Sequence, residues 1–205
     1  ICSRTCFFYK LHIVLVIFKL RHICVFSIKK VMKSKENIVF LGMMGSGKTS
    51  IGSLISKKLK LDFYDVDQYI EKKLNKKISK IFQDKGEKFF RDFEEKITLE
   101  ILKNKNIVVA LGGGAFLNKK IRNEVLKNHN SFWLKLDTVT LLKRIKNNPK
   151  RPIAYNSTNS ELINLIKKRS NIYSKALYSI NCNDLTKKEI VSKIIEIYET
   201  NKTKS

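Results

Sequence analysis

The most constraining feature of this chain is the run Gly42-Met43-Met44-Gly45-Ser46-Gly47-Lys48-Thr49, a full match to the pattern G-x-x-x-x-G-K-[ST]. Asn37 to Leu41 (NIVFL) precedes it and is almost wholly apolar, as a parallel strand buried on both faces requires. Lys48 to Leu59 follows with helical spacing. Strand, glycine-rich turn and helix in that order predict a phosphate-binding loop. Its backbone N–H groups and the helix N-terminus cradle phosphate oxygens, the lysine reaches the β- and γ-phosphates, and the threonine hydroxyl ligates Mg²⁺.

The rest of the chain continues the alternation. Strands are predicted at Asp62 to Asp65, Ile107 to Leu111, Ser131 to Leu136 and Tyr178 to Asn181. Helices are predicted over Val66 to Asn75, Ile78 to Lys85, Glu87 to Leu102, Lys119 to Leu126, Thr138 to Lys146, Ser160 to Tyr173 and Thr186 to Tyr198. Gly86 reads as a helix stop. In the long helix after it, Phe89, Phe93, Ile97 and Ile101 recur every four residues and predict the buried face. The pattern implies an α/β fold with a parallel sheet of about five strands and helices on both faces.

Composition removes several classes. The chain has 205 residues, 43% of them hydrophobic, which is enough for one cored domain. No run of 18 uncharged apolar residues exists, so a spanning helix is not expected. The formal charge is +24, from 42 basic residues of which 35 are Lys. Those lysines are spread along the chain beside many Asn and Ile, which reads as solvated faces rather than a nucleic-acid footprint. Residues 1–31 stand apart: they hold six basic residues, no acidic ones and three of the four cysteines. They read as an extension outside the fold, translated from upstream of a start at Met32, with an amphipathic targeting segment as the alternative. The domain is expected over 32–205. Its lone Cys182 admits no internal disulfide, which fits a reducing cytoplasm.

Scarce residue types mark the candidate site. Six of the eight glycines fall in the first loop or in Gly112-Gly113-Gly114, both after buried strands. Ligands of an open parallel sheet bind at such strand ends. The second strand ends in Asp65-Val66-Asp67; as extended chain it aims both carboxylates into one cleft. One can hold the Mg²⁺ shell and the other can take the proton of an attacking hydroxyl, unless one merely caps the next helix. Five arginines occur from Met32 onward: Arg91, Arg122, Arg144, Arg151 and Arg169. In a lysine-rich chain they suggest sites needing a planar bidentate fork, Arg122 being the one assigned to chance. Arg151 lies between Pro149 and Pro152, the chain's two prolines, in a polar loop expected to be a mobile lid over about 147–158.

Together these pieces resemble shikimate kinase. GMMGSGKTSIG, FYDVDQYIE, GEKFFRDFEEK, LGGGA, KRP and KRSNIY follow that family's order and approximate spacing from Lys35 to about Tyr198. The resemblance implies a fold like that of the P-loop nucleoside monophosphate kinases. It implies that Gly45, Ser46, Gly47, Lys48, Thr49 and Ser50 hold the ATP phosphates, and that Thr49 and Asp65 hold Mg²⁺. It makes Asp67 the residue that binds and deprotonates the 3-hydroxyl of shikimate, and Arg91 and Arg169 the pair that grips its carboxylate. Glu94 would orient Arg91, Gly113 with its neighbours Gly112 and Gly114 would meet the substrate hydroxyls, and Phe90 would wall its ring. Arg151 would be the lid arginine, catalytic with Lys48 and Asp67, and Arg144 would stack on adenine. Two departures stand out. The loop Asn181-Cys182-Asn183-Asp184-Leu185-Thr186 lacks the Pro, Arg or Gln that often supplies a second adenine contact, and Ile153-Ala154 replaces the common Leu-Leu.

The expected activity is transfer of the ATP γ-phosphoryl group to the 3-hydroxyl of shikimate, with Mg²⁺ as cofactor, by a cytoplasmic monomer with no specific nucleic-acid partner. One alternative is a kinase of another small carboxylate-bearing alcohol such as gluconate. The other is a nucleotide-gated nucleic-acid-binding protein.

Overall fold

The computed structural model of the chain describes residues 37–146 and 157–202. Residues 1–31 and the lid segment with Pro149, Arg151 and Pro152 therefore lie outside the described residues. In chain order the elements are β1 (Ile38–Leu41), α1 (Lys48–Leu59), β2 (Asp62–Asp65), α2 (Val66–Leu74), α3 (Ile78–Leu102) and β3 (Ile107–Ala110). A short 3₁₀ turn (Ala115–Leu117) leads into α4 (Lys119–Asn128) and β4 (Asn130–Lys135). Then come α5 (Thr138–Lys146), α6 (Asn159–Tyr173), β5 (Tyr178–Asn181) and α7 (Lys187–Lys202).

The five strands form one parallel sheet in the order β2-β3-β1-β4-β5. Central β1 is fully buried along Ile38, Val39, Phe40 and Leu41, which is why its sequence is a continuous apolar run rather than an alternation. Edge strand β2 (DFYD) is only half covered and carries its charges accordingly. From β1 the chain crosses toward β2, whereas the crossings from β2, β3 and β4 all run the other way. Right-handed crossovers in opposite directions put helices on both faces. The loops leaving β1 and β3 diverge, so a crevice opens between the ends of these adjacent strands.

Two expectations change. The Val66 helix begins immediately after Asp65, so Asp65 is its N-cap and Asp67 belongs to its first turn. The two carboxylates are not two residues apart on an extended strand; a strand-to-helix junction sets their relation. Second, the face of α3 that packs inward is carried by Phe90, Glu94, Ile97, Thr98 and Ile101. Phe89 and Phe93 are half-buried and stack on each other, with ring centroids 6.0 Å apart and planes within 8°. A strict four-residue repeat drifts by about 40° per step round a helix of 3.6 residues per turn, so Phe89 and Phe93 fall off the stripe that Ile97 and Ile101 share with Phe90 and Glu94. Gly86 sits inside α3 with φ 76° and ψ 170°, so the two expected helices meet there at a kink without an intervening loop.

Candidate active site

The phosphate side follows from how α1 begins. Its N-cap is Gly47, which has no side chain to accept the first amide N–H groups of the helix. An uncapped, partly positive helix end next to a glycine turn is a site for anions. Lys48 Nζ donates to the carbonyls of Gly42 and Met43, at 2.9 and 3.0 Å, and so arches back over the loop. Thr49 Oγ1 donates to Asp65 Oδ2 at 2.5 Å, while Asp65 Oδ1 accepts the N–H of Gln68 at 3.2 Å. Asp65 thus caps α2 and meets the threonine with its other oxygen. The helix-cap reading and the metal reading use different atoms of one side chain. Oxygen donors of this kind suit a hard cation such as Mg²⁺.

A cavity of about 430 Å³ opens beside this loop. Gly45 to Ile51 line one side, and Arg144, Cys182, Leu185, Lys187 and Ile190 complete it. Arg144 donates to the carbonyl of Gly45 at 3.2 Å, which fixes its guanidinium at the cavity edge. Cys182, Leu185 and Ile190 give the space an apolar part. Cys182 and Leu185 lie in the loop where the resemblance expects a second adenine contact, while Ile190 reads from the sequence as core.

The other half of the site gathers around Gly112-Gly113-Gly114, for a steric reason. A methyl group on Gly112 would lie 2.6 Å from both Asp67 Oδ1 and Glu94 Oε1, and one on Gly114 would lie 2.5 Å from an Arg91 guanidinium nitrogen. At Gly113 the same point is 3.5 Å from an Arg169 guanidinium nitrogen and 3.6 Å from the Met44 amide nitrogen of the phosphate loop. Three consecutive glycines therefore pack against Asp67, Glu94, Arg91 and Arg169, and the middle one touches the nucleotide loop as well. The residues expected to bind an acceptor converge beside those expected to hold phosphate.

Arg91 is held from several directions. Its guanidinium donates to Glu94 Oε2 at 2.7 Å and to Glu87 Oε1 at 3.2 Å. It also lies over the rings of Phe90 and Phe82, at 5.2 and 5.9 Å from their centroids. Phe90 is buried, and the two rings pack at 4.7 Å. Glu94 is 2% exposed and its Oε1 has no hydrogen-bond partner among the described residues. Burial raises its pKa against the opposing pull of Arg91 and Arg169. Asp67, half-buried, is pushed up to about 6, first by burial and then by Asp65 and Glu94, with Lys48 and Arg91 pulling the other way. A carboxylate with that pKa is ionised at pH 7 yet binds a proton more readily than an ordinary aspartate, as a proton acceptor should.

Two residues outside the expected set support this region. Arg122 donates to the carbonyls of Phe116 and Leu117, at 3.1 and 2.9 Å. Through one guanidinium nitrogen it ties α4 to the 3₁₀ turn that follows the glycine run. Tyr173 donates its hydroxyl to the carbonyl of Gly113. Its signal was available, since it stands one helical turn beyond Arg169. Arg151 falls outside the described residues.

A sequence model of shikimate kinase matches residues 44–199 of the chain. The shikimate kinase of Bartonella henselae is 38% identical over 179 residues, covering 85% of each chain. That of Thermodesulfovibrio yellowstonii is 40% identical over 165 residues, covering 80% of this chain and 95% of the relative. Among solved structures, a shikimate kinase from Acinetobacter baumannii in complex with shikimate superposes with a TM-score of 0.76 at 30% identity, covering 84% of this chain and 98% of that one.

Proposed function

This chain belongs to the shikimate kinase family, and from that premise we infer that it transfers the γ-phosphoryl group of ATP to the 3-hydroxyl of shikimate, giving shikimate 3-phosphate and ADP. One observation carries the reading: the glycine run packs against Asp67, Arg91 and Arg169 and, through Gly113, against the phosphate loop. An acid-bearing alcohol and a triphosphate can thus occupy adjoining places on one chain.

The roles follow from the chemistry of each group. Lys48, the amides of Gly45, Ser46 and Gly47 and the first turn of α1 through Ser50 hold the ATP phosphates. Arg144 and the cavity formed by Cys182, Leu185 and Ile190 take the base, in place of the Pro, Arg or Gln that the sequence lacks. Arg91 and Arg169 clamp the shikimate carboxylate, and Glu94 orients Arg91 through the 2.7 Å contact. Phe90 walls the ring, while Gly112, Gly113 and Gly114 leave room for the substrate where any side chain would intrude. Asp67 accepts the proton of the 3-hydroxyl as that oxygen attacks the γ-phosphorus in line and the β-phosphate oxygen leaves. Arg151 is assigned to charge stabilisation at the phosphoryl group.

Thr49 and Asp65 are the residues that would hold Mg²⁺, a group that neutralises phosphate charge when bound. We take the monomer as the working unit. Cys182, a free buried thiol, suits cytoplasmic conditions. The lysine excess serves solvation, and no nucleic-acid partner is assigned.

A coupled ADP-release assay across shikimate, quinate, gluconate and nucleoside monophosphates tests the reading. Release should depend on shikimate and be far weaker with the others. Equal or faster release with gluconate would replace the acceptor. Tight RNA or DNA binding without acceptor-dependent release would replace the enzyme reading altogether.

A further inference from the structure

Tyr173 is 1% exposed, at the C-terminal end of α6, and its ring packs against Trp133 with centroids 6.1 Å apart. Its hydroxyl has one proton to give and two lone pairs. The proton goes to the carbonyl of Gly113, the central residue of the glycine run. The guanidinium of Arg169, one helical turn earlier, reaches the same glycine: a methyl group on Gly113 would lie 3.5 Å from one of its terminal nitrogens. Met43 Sδ, from the phosphate loop, is 3.9 Å away. Burial pushes the phenol pKa up to about 12, against the opposing pull of Arg169. It stays protonated and keeps donating throughout the working pH range.

We propose that the Tyr173 hydroxyl is a positioning group for the acceptor, fixing the Gly113 peptide and the Arg169 guanidinium relative to each other. The inference rests on the shikimate reading above and adds to it a residue that touches neither substrate. Arg169 Nε is buried and has no hydrogen-bond partner among the described residues, so the guanidinium is placed by its surroundings, and one of its terminal nitrogens lies beside the Gly113 that the phenol holds. Gly113 has no side chain to wedge its peptide in place, and its carbonyl is held by the phenol. Removing that one proton donor leaves the carbonyl unpaired next to a free-turning peptide. The ring, which carries the packing, is a separate matter from the hydroxyl.

Tyr173→Phe separates the two. The experiment measures KM for shikimate, KM for ATP, kcat and thermal midpoint, in parallel with the unaltered protein. The expected result is a shikimate KM raised about tenfold, an ATP KM changed less than twofold, and a folded protein with a midpoint within a few degrees of the original. An unchanged shikimate KM would overturn the proposal. So would equal rises in both KM values or failure to fold, since either would make the hydroxyl a general structural support. If the unaltered protein does not phosphorylate shikimate at all, it is the acceptor reading that falls, which the parallel control distinguishes.

Discussion

Asp67 illustrates how a single side chain trades stability for chemistry. Its pKa is raised from 3.8 to about 6 by burial and by Asp65 and Glu94, so the folded state holds the proton more tightly than the unfolded chain does. Its contribution therefore favours folding below about pH 4 and is lost as pH rises toward 6. At neutral pH the ionised carboxylate works against the fold. Asp67→Asn should accordingly raise unfolding free energy at pH 7 by about 1–3 kcal/mol, with the gain fading near pH 3.5. The same change should lower phosphoryl transfer by about 10²–10⁴-fold with ATP still bound. Denaturant melts at both pH values and a turnover assay check this; destabilisation at pH 7 would contradict the account of its environment. Arg91 offers a sharper separation between substrates. Its fork donates to Glu94 and Glu87 and lies over two aromatic rings, a geometry that an ammonium does not reproduce. Arg91→Lys should raise KM for shikimate about 10–100-fold and leave KM for ATP within twofold. Steady-state kinetics with each substrate varied in turn would show equal effects if the carboxylate clamp were wrong.

Elements were legible where one periodicity ruled them. The phosphate loop, its flanking strand and its helix could be read directly, because a buried strand, a glycine turn and Lys48-Thr49 admit few other arrangements. The Asp65–Asp67 junction was less legible: a four-residue strand running straight into a helix shows no change of composition at the boundary, so strand geometry was carried one step too far. The apolar face of α3 was read rightly at Ile97 and Ile101, which are buried, but it did not include Glu94. Glu94 is a core-facing charge that only Arg91, Arg169 and the glycine run make tolerable, and no apolar count contains that information. Two glycines test the element scale. Gly112→Ala places a methyl group against Asp67 and Glu94 and should cut kcat/KM for shikimate by at least tenfold. Gly86→Ala meets open space but keeps φ at 76° with ψ 170°, a region almost confined to glycine, so only backbone strain of about 1–3 kcal/mol is at stake. It should lower the thermal midpoint by a few degrees with catalysis largely retained. A midpoint that does not move would place Gly86 in a relaxed conformation.

At the scale of the whole molecule, the strand order 2-3-1-4-5 explains why residues distant in sequence meet. Strands β1 and β3 are neighbours whose following loops diverge, so the phosphate loop and the glycine run face one crevice, and α2, α3 and α6 bring Asp67, Arg91 and Arg169 to it. A shared strand-end cleft for the glycine clusters and aspartates was read from residue types, whereas the place of Arg91 and Arg169 in it came from the family resemblance. The alternation of strands and helices gives a parallel sheet without saying which helix faces cross at one strand end. We propose that residues 1–31 lie outside this machinery. A chain beginning at Met32 should then keep kcat and both KM values, and a loss beyond a few-fold would give the extension a part in the fold. In the function proposed above, one crevice brings a carboxylate clamp and a triphosphate cradle together for a single transfer. Phosphorus-31 NMR of the product formed from ATP and shikimate tests it most directly. One new phosphomonoester is expected, on the 3-oxygen of shikimate, in equal amount to the ADP released. ADP formed with no phosphorylated shikimate, or phosphate on another oxygen, would contradict it.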